Sequence, residues 1–131
     1  MSKQVMMIDD SPTVRKIVEV SLRRAGLEVV CFPDGIAALR AVTTRQVERI
    51  PDLVILDIDL PKMNGYEIAR YLRSKPQWNQ TVIVILSRHN GVIDRLKARL
   101  AGVQTYLTKP FTIKMIVDVV NNSLHLPIAP L

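Results

Sequence analysis

Five polar residues able to do chemistry each follow a short apolar run. Asp9 and Asp10 come after QVMMI, Asp57 after LVIL, Ser87 after VIVIL, and Lys109 lies in the segment LTKPF. Three carboxylates gathered in one pocket repel one another, and their pKa values rise unless a cation resolves the conflict. Mg²⁺ would resolve it, since that ion prefers oxygen ligands, keeps several waters, and binds one or two carboxylates together with an incoming phosphate. Taken singly, each residue has a plainer explanation. Asp10, just before Ser11 and Pro12, fits a helix N-cap; Asp57 fits a turn, Ser87 a cap and Lys109 a solvated charge. Only their convergence at one edge of one sheet favours chemistry over these.

That convergence depends on the elements. Short apolar runs alternate with longer amphipathic ones, the pattern of parallel strands joined by crossover helices. The strand candidates are Gln4 to Ile8, Glu28 to Cys31, Leu53 to Leu56, Val82 to Leu86 and Thr105 to Leu107. Their continuous apolarity suits strands covered on both faces. Helical spacing marks a first helix, with Pro12 pre-setting its first turn and Gly26 ending it, through Val14, Ile17, Val18, Leu22 and Ala25. Four more are expected over Asp34 to Val47, Asn64 to Ser74, Val92 to Leu100 and Ile113 to Leu124. Pro76 to Gln80 and Asn90 with Gly91 signal loops. The chain is too short for an eight-stranded barrel, so the expected fold is α/β: a doubly wound, five-stranded parallel sheet of flavodoxin-like order 2-1-3-4-5, with five helices. In such a sheet strands one and three are neighbours at the topological switch point, which brings the three aspartates together.

Composition narrows the function classes. The chain has 131 residues, 48% of them hydrophobic and 23% charged, which fits one domain over 1–125 followed by a tail over 126–131 with two prolines. No apolar stretch approaches the length of a membrane span and no signal peptide is evident, so a cytoplasmic protein is expected. Cys31, the single cysteine, cannot form an intramolecular disulfide. The net charge of +6 raises the question of nucleic acid, yet Arg15, Lys16, Arg23 and Arg24 in one helix and Arg95, Lys97 and Arg99 in another are spaced as solvated faces. No recognition motif accompanies them.

With Asp9 and Asp10, the run LVILDIDLPKMNG around Asp57, Ser87, Tyr106, and Lys109 with Pro110, the chain from about Val5 to Leu124 resembles a receiver domain of two-component response regulators. The stretch from Ser87 through YLTKPF is similar to that of stand-alone regulators of chemotaxis and twitching motility. The resemblance implies a phosphorylatable switch rather than an enzyme acting on other substrates. Asp57 would take a phosphoryl group from a sensor histidine kinase or a histidine phosphotransfer protein to form an acyl phosphate. Asp9, Asp10, Asp57 and the backbone carbonyl of Asp59 would hold Mg²⁺, Asp10 directly and Asp9 largely through water. Lys109 would pair with a phosphoryl oxygen. A cis peptide would precede Pro110, Ser87 and Tyr106 would form the switch, and the fourth helix, fifth strand and fifth helix would offer an output face on which Arg95 and Arg99 meet a downstream protein.

One residue departs from the family pattern. The position after Ser87 is usually small, whereas here it is Arg88, a long cation able to cover Asp57, to pair with a phosphoryl group or to point to solvent. Asp59 and His89 border the same opening, His89 as a polar lip residue. Two other readings compete. Asp57 with Asp59 also satisfies the spacing of a haloacid dehalogenase-like phosphohydrolase, but that leaves Asp9 and Asp10 without a role. A receiver-like scaffold working without phosphorylation would not need the complete acidic, hydroxyl and lysine set.

Overall fold

The computed structural model describes residues 2–45, 49–59, 64–89, 91–103 and 105–125. Five strands, β1 (Gln4–Ile8), β2 (Glu28–Phe32), β3 (Leu53–Asp57), β4 (Val82–Ser87) and β5 (Thr105–Thr108), alternate with five α-helices. These are α1 (Pro12–Arg24), α2 (Gly35–Thr43), α3 (Gly65–Ser74), α4 (Val92–Leu100) and α5 (Ile113–Ser123). Every strand pair is parallel and the order is β2-β1-β3-β4-β5, the doubly wound arrangement expected.

Strand side chains alternate between the two faces, which explains the unbroken apolar runs. Met6, Ile8, Val54, Leu56, Ile83 and Ile85 pack on one side with Ala38 of α2, Ile68, Ala69 and Leu72 of α3, and Ala98 of α4. Val5, Met7, Leu53, Ile55, Val84 and Leu86 pack on the other with Val18 and Leu22 of α1 and Ile116 and Val120 of α5. Two cores thus cover the sheet on both faces.

Polar side chains cap four of the helices. Ser11, not Asp10, caps α1: its Oγ accepts the Val14 N–H at 3.2 Å. Asp34, Asn64 and Thr112 cap α2, α3 and α5 by accepting from Ala37, Tyr66 and Met115 at 2.7, 2.8 and 3.1 Å. Gly26, at φ +88°, turns the chain out of α1. The second helix is shorter than expected. It stops at Thr43: the Thr44 N–H makes the last helical bond, to the Arg40 carbonyl that the Thr44 hydroxyl also reaches, and Arg45 then turns left-handed at φ +58°. Val47 itself lies outside the described residues, as do Asn90 and the expected tail over 126–131. The loop signal at Pro76 is a 3-10 turn over Pro76–Trp78 that buries Trp78 in the core. No helix among the described residues is long and apolar enough to cross a membrane.

Candidate functional site

Strand register gathers the candidate residues. Ile8 pairs with Leu56, so Asp9 and Asp57 stand one step beyond the same rung. Ser87, the last residue of β4, pairs with Thr108, and the Lys109 N–H carries on that ladder to the Ser87 carbonyl at 2.7 Å. The strands thus run slightly further than their apolar runs suggest, and Asp57 and Ser87 are their buried final residues.

Asp9, Asp10 and Asp57 each offer a carboxylate oxygen within 4.8 Å of the others. They open onto a cleft of about 360 Å³ that Lys109, Pro110 and Phe111 also line. Asp9 and Asp57 are buried and Asp10 is exposed. The Ser11 N–H donates to Asp9 Oδ1 at 2.8 Å and the Asp59 N–H to Asp57 Oδ1 at 2.8 Å, orienting both carboxylates. Such a donor set fits a small hard cation: oxygen ligands only, spaced within one coordination sphere, with solvent on the Asp10 side for the remaining positions.

The ammonium of Lys109 lies 2.8 Å from Asp57 Oδ2 and 3.3 Å from Asp59 Oδ2. The Lys109–Pro110 peptide is cis. Burial pushes the Asp9 carboxyl up to about 6; the charges of Asp57 and Asp10 add to the rise, while the Ser11 N–H and Lys109 oppose it. Burial works against the Lys109 ammonium, but the hydrogen bond and charge of Asp57, with help from Asp59, more than offset it and raise its pKa. Asp59 is the reverse case: burial pushes it up, and the Arg88 N–H together with the Lys109 and Arg88 cations outweigh burial and lower it.

Arg88 lies on Asp59 rather than over Asp57. Its backbone N–H and Nε are 3.3 and 3.4 Å from Asp59 Oδ2, and its side chain is 73% exposed. His89 is an exposed lip residue with Nε2 4.0 Å from Asp59 Oδ1. Ser87 Oγ accepts the His89 N–H at 2.9 Å. Tyr106 stands apart from the carboxylates, on the α3 and α4 side of the sheet; its hydroxyl donates to the His89 carbonyl, and Arg95 lies 5.3 Å from its ring centroid.

Two contributors escaped the sequence. Ser11 supplies the N–H that orients Asp9, a contact the Asp-x-Ser spacing permits in a turn. Arg15, expected on a solvated helix face, instead donates from Nη1 to the Asp9 carbonyl at 2.6 Å. A larger hollow of about 490 Å³ lies between the end of α2 and the 3-10 turn, lined by Arg45, Arg49, Lys75 and Trp78 among others. Its Arg49 is already held by Glu28 and Asp52.

Residues 5–121 match the model of the response regulator receiver domain. The chain is 33% identical to protein PilG of Pseudomonas aeruginosa over 83% of its own length and 78% of PilG. It is 35% identical to the transcriptional regulatory protein PrrA of Mycobacterium tuberculosis, covering 88% of this chain but less than half of PrrA, 47%. Among solved structures, the chemotaxis protein CheY4 of Vibrio cholerae superposes with a TM-score of 0.86 at 27% identity, over 95% of this chain and 100% of CheY4. Sheet order, acidic cleft and sequence match agree, and the chain belongs to the response regulator receiver domains of two-component signalling.

Proposed function

We propose that this chain is a phosphorylatable signalling switch whose receiver unit spans residues 1–125, with Asp57 as the phosphoacceptor. The observation that carries the reading is the Lys109 ammonium 2.8 Å from Asp57 Oδ2, in a cleft where Asp9 and Asp10 bring two further carboxylates within metal-sharing distance. A carboxylate oxygen of Asp57 attacks the phosphorus of a phosphorylated imidazole on a histidine kinase or phosphotransfer protein. The P–O bond forms as the P–N bond breaks, and the imidazole leaves with a proton on its nitrogen. Lys109 stays beside the transferred group and balances charge on its oxygens. Asp9, Asp10, Asp57 and the carbonyl of Asp59 are the proposed Mg²⁺ ligands, Asp10 directly, as its exposure supports, and Asp9 largely through water. Mg²⁺, when bound, supplies charge neutralisation to the transferring group.

Ser87 and Tyr106 are the proposed switch pair. Both reach the β4–α4 loop, Ser87 through its hydroxyl and Tyr106 through the His89 carbonyl, so a phosphoryl group that draws the Ser87 hydroxyl alters the same backbone that Tyr106 holds. The proposed output face is α4, β5 and α5. Val92, Ile93, Leu96 and Leu100 of α4 are all exposed, flanked by Arg95, Lys97 and Arg99, which suits a downstream protein with an apolar, acidic docking segment. Charge reversal at Arg95 and Arg99 together should abolish that docking. A cytoplasmic setting follows from the proposed kinase partner. The hydrolase alternative loses its second aspartate, since Asp59 Oδ2 is engaged by Lys109 and Arg88.

Intact-protein mass after incubation with acetyl phosphate tests the reading. A phosphate adduct that requires both Mg²⁺ and Asp57, and is lost in Asp57→Asn, is the expected result. An adduct that survives in Asp57→Asn would overturn it, as would its absence with both acetyl phosphate and a phosphorylated histidine donor.

A further inference from the structure

We infer that Arg88 is a positioning residue for phosphoryl uptake, acting through Asp59: it holds and neutralises the Asp59 carboxylate so that Lys109 is released to the phosphoryl group. The inference rests on Asp57 as the phosphoacceptor and adds a residue to that reaction.

Three donors converge on one oxygen. Asp59 Oδ2 accepts from Lys109 Nζ at 3.3 Å, from the Arg88 N–H at 3.3 Å and from Arg88 Nε at 3.4 Å. The Lys109 ammonium is thereby divided between Asp57 and Asp59. When Asp57 changes from a singly charged carboxylate to an acyl phosphate carrying nearly two negative charges, Lys109 must follow the larger charge. Asp59, only 11% exposed, then faces that group with its own negative charge. Arg88 is the cation left to compensate it, and two of its donors are already in place. Its guanidinium is always charged, so this compensation holds at any working pH. Without Arg88, Asp59 retains Lys109 more tightly and repels an anionic donor.

The same physics gives a signature that damage to the fold would not. Without Arg88 the Asp59 carboxylate is left uncompensated at the edge of the cleft, so Arg88→Ala should bind Mg²⁺ more tightly while taking up phosphoryl groups more slowly. Because Arg88 is largely exposed and screened by solvent, each change should be about two- to fivefold. The experiment is a double-mutant cycle on full-length protein, with Arg88→Ala, Asp59→Asn and both together. It reads the adduct-formation rate with acetyl phosphate by mass and Mg²⁺ affinity by calorimetry. In the Asp59→Asn background the Arg88 substitution should change neither quantity. A persistent effect there would overturn the inference, because Arg88 would be acting on the donor directly. Weaker Mg²⁺ binding in Arg88→Ala, or no change in either reading, would also overturn it. If the wild type forms no adduct with acetyl phosphate, the same cycle is read with a phosphorylated histidine donor; no adduct with either donor overturns the phosphoacceptor reading and this inference with it, whereas an adduct whose rate does not respond to Arg88 overturns the inference alone.

Discussion

A Cβ placed on Gly65 would lie 2.7 Å from Cα of Ile58, nearer than packed atoms approach. Gly65 opens α3, and Ile58 is the residue between Asp57 and Asp59, so α3 is seated directly against the backbone that carries both carboxylates. Gly65→Ala should cost about 1–3 kcal/mol from overpacking, despite the better helix propensity of alanine. It should also weaken Mg²⁺ binding by displacing the Asp59 carbonyl, one of the proposed ligands. Urea denaturation and a Mg²⁺ titration check both, and a variant more stable than the wild type would show that the contact relaxes at no cost.

Lys109 is the shared cation of two carboxylates. Lys109→Ala should slow phosphoryl uptake from acetyl phosphate by about tenfold or more, because positioned charge is lost where it is needed. Mg²⁺ affinity should rise, since a competing cation has left the cleft. A fall in both would mean that the variant has lost the site rather than the charge.

In metal-free protein, Asp9 makes stability depend on pH in a definite direction. Its carboxyl is raised from 3.8 to about 6 in the folded state, so the native protein holds the proton more tightly than the unfolded chain does. Stability should therefore fall as pH rises from about 4 to 6, by about 3 kcal/mol in total for a shift of roughly two units. Asp59, whose pKa is lowered, contributes stability that is lost only as the pH falls below its ordinary range; Lys109, whose pKa is raised, contributes stability that is lost only at strongly alkaline pH. Neither acts inside the window. Denaturation midpoints in chelator across pH 4 to 7 test this, and Asp9→Asn should flatten the slope and be more stable than the wild type at pH 7. Saturating Mg²⁺ should reduce the slope as well.

The outer row of α4 should be dispensable to the fold. Val92 and Leu100 are 85% and 76% exposed, so Val92→Ser and Leu100→Ser should each change stability by no more than about 0.5 kcal/mol. Ala98, on the opposite side of the same helix, is 3% exposed, and Ala98→Leu should cost about 1–3 kcal/mol. Equal losses in the two kinds of variant, measured by urea denaturation, would contradict an uncovered outer face.

The residues themselves determined the elements and the chemistry. Runs such as LVIL with a polar residue at the end, and the helical spacing that follows Pro12, Asn64 and Ile113, follow from local periodicity, which needs no knowledge of distant contacts, although the cap of the first helix is Ser11 and not Asp10. Alternating β and α elements, with right-handed crossovers, then leave few topologies, which is why Asp9, Asp57 and Lys109 fall at one edge by sequence reasoning alone.

What only tertiary structure decided is how charge is shared at that edge. Asp59 and Lys109 are 50 residues apart and Arg88 is 29 from Asp59, separations at which no periodic pattern carries information. Whether Arg88 would cover Asp57 or pair with Asp59, and whether Arg15 would face solvent or reach the Asp9 carbonyl, depended on loop paths and side-chain directions set by packing. The left-handed Arg45 that ends α2 and the burial of Trp78 belong to the same class. Local rules specify where the chain becomes a strand or a helix; the balance among several nearby charges is settled only when distant segments meet.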